Sequence, residues 1–142
     1  MKLFYMKEKS RNIDILTHIL SYCEEIEEAN DRFNHSFDEF KTSSVYKNAV
    51  SMCFLQIGEL VKHLTPEFKN YNSEIEWRKI QGMRNIFAHD YGNIDVSIVW
   101  RTIEKELPKL TAFCQKTIEY QKIINQEAQS VDDNGFDLWE DE

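Results

Sequence analysis

One stretch of this sequence gathers side chains with complementary chemistry: Gln81-Gly82-Met83-Arg84-Asn85-Ile86-Phe87-Ala88-His89-Asp90-Tyr91-Gly92. It holds a guanidinium that is always charged, an imidazole that titrates near neutrality and a phenol. Such a set can clamp an oxyanion, move a proton and offer a further hydrogen bond. Spacing limits how it can do so. On an ideal helix Arg84 and His89 point roughly 140° apart around the axis. One straight helix therefore does not aim both at a single atom. Either the helix ends near His89 and the backbone turns, or the side chains meet their counterparts across a two-fold axis. Arg84 and Tyr91 could share a face if the helix lasts that long. From spacing alone a plainer arrangement is the commoner one: Arg84 pairs with an acid such as Glu59, His89 caps the helix end and Tyr91 packs its ring.

Other chemistry is sparse. The remaining histidines are His18, His35 and His63, and their acidic neighbours (Asp14, Asp31, Glu59) sit one residue further away than a Glu-x-x-His metal motif needs. No inward carboxylate set or paired-cysteine motif accompanies them, so no metal or cofactor is expected. His18 and His63 read as helix-surface residues with acidic partners one turn away, and His35 as a loop residue. There is no phosphate-cradling glycine loop and no serine nucleophile elbow.

The elements that must position the Arg84 segment are helical. Ile13, Leu16, Leu20 and Cys23 recur at three- and four-residue spacing, widened by Ile19 and Ile26, and predict a first helix from about Asn12 to Asn30. Ser36-Phe37-Asp38-Glu39 fits a capping box for a second helix carrying Phe40, Ala49, Cys53, Ile57, Leu60 and Leu64. An irregularity is expected near Thr42-Ser43-Ser44, and Thr65-Pro66 stops the helix. Ser73-Glu74-Ile75-Glu76 repeats the capping pattern before a third helix through Trp77, Ile80, Arg84 and Phe87. Asp95 can cap a fourth, with Val99, Ile103, Leu107, Leu110, Cys114 and Ile118 on one face, continuing to about Gln126. Pro108 predicts a kink in it, or two abutting helices. Four or five helices of this length make an all-α up-and-down bundle the natural solution.

Bulk properties agree. At 142 residues, 42% hydrophobic and 30% charged, the chain can bury one core. Its 4 Gly and 2 Pro leave little turn chemistry for a β fold. No apolar run approaches the ~20 residues that span a bilayer, and the N-terminal apolar stretch is too short for a secretion signal. Cys23, Cys53 and Cys114 sit among apolar residues at helical spacing, as buried free thiols do, and a cytoplasmic protein follows. The net charge of −8 is unevenly spread: six acids and no Lys or Arg lie beyond Gln129, leaving −2 for residues 1 to 128. A helical domain over 1–128 and an acidic, disordered tail over 129–142 are expected. Any RNA contact must then be local, because a broad basic field is absent.

The order Arg84, polar Asn85, three residues, His89, one residue, Tyr91 resembles the motif of the HEPN superfamily, specifically its HepT-like branch. Gln56-Ile57-Gly58-Glu59, Trp77 through Met83, and Asp95 through Leu110 are similar to the branch's flanking helices, so the resemblance covers roughly residues 10 to 120. It implies a four- to five-helix bundle that dimerises around a composite cleft. It also implies a metal-independent endoribonuclease acting as the toxin of a toxin–antitoxin pair. The implied antitoxin is an MntA-like minimal nucleotidyltransferase that adenylylates Tyr91. On such a chain His89 would act as general acid/base and Arg84 would hold the phosphate, with Asn85 and Glu59 as substrate-binding or supporting residues. One departure is local: Gly92-Asn93-Ile94 follows Tyr91 where the family often has an aromatic residue before glycine.

Two other functions fit the same residues. One is a HEPN-like dimer that binds nucleotide or RNA without cutting it. The other is a bundle that only docks a nucleotidyltransferase. Phe136, Leu138 and Trp139 in the acidic tail read as parts of a solvated terminus, or as a segment that folds over a basic cleft.

Overall fold

In the computed structural model, backbone is described for residues 2–89 and 95–140, and side chains for 6–88 and 95–132. The described residues are helical, with no strand: α1 (Lys2–Arg32), α2 (Phe37–Thr42), α3 (Ser44–Lys62), α4 (Pro66–Tyr71), α5 (Trp77–His89) and α6 (Val96–Glu140). The long helices α1, α3 and α6 form the body of the bundle, and α5 lies along α3. This is the all-α architecture that the periodicity predicts.

Local chemistry sets most of the boundaries. The Ser36 hydroxyl accepts the Glu39 amide at 3.2 Å and so opens α2. Ser43 then does two jobs from an extended conformation. It ends α2 through its own amide, and its hydroxyl accepts the Tyr46 amide at 3.2 Å to start α3. The break expected at Thr42-Ser43-Ser44 is this double cap. Asp95 caps α6 by accepting the Ser97 amide at 2.9 Å.

Three boundaries differ in detail from the expectation. Thr65-Pro66 not only stops α3 but opens the short helix α4, with Thr65 accepting the Phe68 amide at 3.3 Å and Pro66 at a position where its missing N–H costs nothing. Ser73 does not cap α5, which begins at Trp77. The preceding turn closes differently: the Trp77 indole N–H donates to the Asn72 carbonyl at 3.0 Å, and the Ile75 amide to the same carbonyl at 3.3 Å. Finally, of the kink or the two abutting helices expected at Pro108, the second is excluded, because the chain passes through the proline as one helix. Leu107 and Leu110, each 1% exposed, hold α6 to the core on both sides of the proline. That burial offsets the ~3 kcal/mol a mid-helix proline costs. α6 also runs beyond Gln126, and from Glu119 to Asp132 nearly every residue is exposed.

The core is built as the spacing predicts, from Leu16, Ile19, Cys23 and Ile26 of α1 against Val50, Cys53, Ile57 and Val61 of α3 and Ile103, Leu107, Leu110 and Cys114 of α6. At one end Tyr46 stacks on Phe33 with ring centroids 4.6 Å apart and meets Phe40 and Trp100 edge-on. Its hydroxyl donates to Asn30, which is itself fully buried. His35 is in the α1–α2 turn, where Asn34 and His35 both adopt positive φ. His18 and His63 are exposed, as expected of surface residues.

The buried thiols make stability pH-dependent. Burial pushes Cys23 and Cys53 up to about 12 from an ordinary 9.0, pushes Cys114 up further, and raises Tyr46 to about 12 from 10.0. Above pH 9 the unfolded chain releases these protons and the folded one keeps them, so stability is full below that point and falls as pH rises toward 12. Each group contributes about 1.4 kcal/mol per pH unit at most. Urea unfolding under reductant should therefore show a clearly lower midpoint at pH 10.5 than at pH 8. Replacing Cys23 and Cys114 by Ala should make that drop shallower, and a slope indifferent to the thiols would contradict the assignment.

Candidate active site

α5 presents two faces. Ile80, Met83 and Phe87 point into the bundle, and Phe87 stacks on Phe54 of α3 at 6.1 Å. Arg78, Asn85 and Ala88 are exposed, with Arg84 at the edge between the faces. Arg84 is thus carried on the seam where α5 meets α3, and the seam is unusually tight there. A Cβ built on Gly58 would stand 2.5 Å from the Cβ of Arg84. Any other residue at position 58 would push the two helices apart at the position that carries the guanidinium.

The next residue of α3 completes the arrangement. Glu59 Oε2 lies 3.0 Å from Arg84 Nε. The N–H is not aligned on that oxygen, which is itself covered from solvent, so the contact is an ion pair rather than a well-formed hydrogen bond. With side chains 37% and 40% exposed, the pair adds little to stability. Its effect is positional. Arg84 Nη1 donates to Asn85 Oδ1 at 3.3 Å. A guanidinium has five N–H donors. Glu59 and Asn85 take up two sides of this one, and among the described residues no acceptor engages its Nη2 hydrogens. That edge has the paired N–H donors an oxyanion would use.

The site residues named from sequence fall into two groups. Arg84, Glu59 and Asn85 come together, and the Arg84–Glu59 pairing is the one that spacing alone suggested. α5 is described as far as His89, whose side chain is outside the described set. Tyr91 and Asp90 lie outside the described residues altogether. Among those described, no cluster of His, Cys, Asp and Glu could hold a metal ion, and no helix is long and apolar enough to cross a membrane. Sequence reasoning named Gly58 only as part of a family-like segment and missed its close approach to Arg84. The available signal was a glycine inside an otherwise strongly helical run, immediately before the acid that pairs with Arg84.

The described residues are an all-helical bundle in which a half-exposed arginine, paired with a glutamate of the neighbouring helix, stands five residues before a histidine of its own helix. The chain belongs to the HepT-like ribonuclease family: the family model described as "Ribonuclease HepT-like" matches residues 19–117. It is 35% identical over 107 residues to "Putative RNase TTE0752" of Caldanaerobacter subterraneus subsp. tengcongensis, covering 75% of this chain and 94% of that one. It is 31% identical to "Probable ribonuclease HepT" of Thermococcus cleftensis, covering 76% of this chain and 96% of that one. It is 30% identical to "Putative RNase MJ1216" of Methanocaldococcus jannaschii, covering 85% and 93%. No solved structure matches it.

The two glycines beside the site should behave oppositely. Gly58→Ala forces α3 and α5 apart and should destabilise the fold by about 1–3 kcal/mol. A Cβ at Gly82 meets nothing within 4 Å. Gly82→Ala should therefore stabilise by roughly 0.5–1 kcal/mol, the usual gain for removing a helical glycine. Urea midpoints of the two variants shifting in the same direction would refute the close approach at Gly58.

Proposed function

We propose that this protein is a metal-independent endoribonuclease acting as the toxin of a toxin–antitoxin pair, with Arg84 and His89 as its catalytic residues. The observation that carries the reading is the Arg84 guanidinium, held at Nε by Glu59 and with no acceptor among the described residues on its Nη2 edge, in a chain of the HepT-like ribonuclease family.

The chemistry asked of these residues is modest. A general base removes the proton of a ribose 2′-hydroxyl, the 2′-oxygen forms a bond to phosphorus, and the bond to the 5′-oxygen breaks as that oxygen takes a proton. The products are a 2′,3′-cyclic phosphate and a 5′-hydroxyl. An imidazole near its pKa at neutral pH suits both proton transfers, which assigns them to His89. Arg84 stabilises charge on the non-bridging oxygens as the phosphorus becomes five-coordinate. Asn85 positions the guanidinium or the phosphate, and Glu59 keeps the guanidinium from swinging away. Two copies of the chain in a homodimer would bring two such sets to one cleft, supplying separate base and acid.

Regulation falls on Tyr91. Transfer of adenylate to its hydroxyl by an MntA-like nucleotidyltransferase antitoxin would place bulk and negative charge two residues from His89 and exclude RNA by both. A second reading, a module that binds RNA without cutting it, draws on the same Arg84–Glu59 pair, since a braced guanidinium can simply grip phosphate.

Purified, unmodified protein incubated with total cellular RNA in EDTA should cleave it, and His89→Ala should lose ~10²-fold or more of that rate while unfolding normally. Equal cleavage by both would remove His89 from the mechanism, and binding without cleavage would select the second reading. Tyr91→Phe should resist adenylylation and remain toxic when the antitoxin is co-expressed. A mass increase on that variant would assign the modification elsewhere.

A further inference from the structure

The junction of α4 and α5 has no part in the site described so far, yet it forms an open cleft of about 500 Å³. Lys69, Arg78 and Lys79 line it against one acid, Glu76, and Asn70 and Ser73 add neutral polar groups. Glu76 pairs with Lys79 at 2.9 Å, with both side chains exposed. Among the described residues no acid lies within ion-pair distance of Arg78 or Lys69. Lys69 Nζ instead donates to the Val61 carbonyl at 3.4 Å, which anchors it at the cleft wall. From α6, Lys109 acts on Glu76, and Glu106 and Arg101 act on Lys79 with opposite signs. Two cations with no acid partner among the described residues, at one concave site, stand out in a chain of net charge −8.

The second observation is the exposed stripe of α5. Positions 78, 82, 85 and 89 follow one another at helical spacing and so share a side of the helix. Arg78 and Asn85 are exposed, and between them Gly82 has nothing within 4 Å of where its Cβ would be. A mid-helix glycine costs up to ~1 kcal/mol relative to alanine, and no packing among the described residues accounts for it. It leaves a bare strip of backbone. The stripe is about 10 Å long from Arg78 to Asn85 and about 16 Å from Arg78 to His89.

We infer that the α4–α5 cleft is a phosphate subsite for a single RNA strand that runs along α5, crosses the helix at Gly82 and reaches the reactive end at Arg84 and His89. The inference rests on the ribonuclease reading and adds a second, remote contact to it. Arg78 can take a phosphate through paired N–H donors and Lys69 as a point charge. A strand held at two places along one helix is placed in register without a broad basic surface, which this chain lacks. Glu76 opposes the strand by repulsion.

The test is binding of a fluorescein-labelled 12-nucleotide single-stranded RNA to the full chain carrying His89→Ala, by anisotropy over a range of salt. Adding Lys69→Ala and Arg78→Ala should weaken binding roughly tenfold at low salt. It should also make the slope of log K against log salt shallower by ~1.4, the loss of two single-strand phosphate contacts. Glu76→Gln should tighten binding. Gly82→Leu should weaken it without lowering the urea midpoint. Lys122→Ala, on the exposed later part of α6, should change nothing. Unchanged affinity and slope in the Lys69/Arg78 variant, or an equal loss from Lys122→Ala, would overturn the subsite. With His89 intact, the Lys69/Arg78 variant should lose kcat/KM on the 12-nucleotide RNA and keep its rate on a dinucleotide; equal losses on both would also overturn it. Failure of the parent reading looks different: the His89-intact protein cuts no RNA while the binding differences persist, and the subsite then belongs to a binding module.

Discussion

Everything about this site depends on how closely α5 approaches α3. Protein interiors resist small displacements because they are close-packed, so the separation of two helices is set by the smallest side chains at their contact. Here that contact is Gly58 against the Cβ of Arg84. Phe54 against Phe87 fixes the seam four residues away along α3, and Ile57 and Ile80 are buried beside it. The arginine is placed by backbone geometry before any charge is considered. The ion pair with Glu59 then selects among its rotamers.

That division of labour explains an otherwise odd choice. A half-exposed, imperfectly aligned Glu–Arg pair is a poor stabilising device. It is a good way to hold a guanidinium by one edge while leaving the other for an incoming anion. The remaining electrostatics are consistent with local recognition. The body of the chain is nearly neutral and most of its excess negative charge lies beyond Gln129. Affinity for a polyanion must then come from a few directed contacts. On the function proposed above, Arg84 and, along the same helix, Arg78 would make them.

Much of this was legible in the sequence, and the exceptions have identifiable causes. Apolar spacing gave the long helices because each buries one stripe, and the Ser36 and Asp95 caps were readable because a side-chain oxygen before a helical run has one obvious partner. The Ser73 cap failed because a competing bond, from the Trp77 indole to the Asn72 carbonyl, closes the turn first. α4 was hidden by its length: six residues show no period, and Thr65-Pro66 reads equally as a stop and a start. At the site, the residues Arg84, Glu59 and Asn85 could be named from type and spacing, with the motif resemblance deciding among uses. The role of Gly58 could not, because a close helix approach is a property of two segments some twenty-five residues apart in sequence.

The central claim is that Glu59 holds Arg84 in place across the tight α3–α5 seam. Its most direct test is the NMR order parameter of the Arg84 Nε–H bond, measured beside Arg78 as an exposed reference. Arg84 should be markedly more ordered than Arg78 in the unaltered protein, and should become mobile, below about 0.6, in Glu59→Gln. An Arg84 as mobile as Arg78 from the start, or one whose order survives Glu59→Gln unchanged, would contradict it.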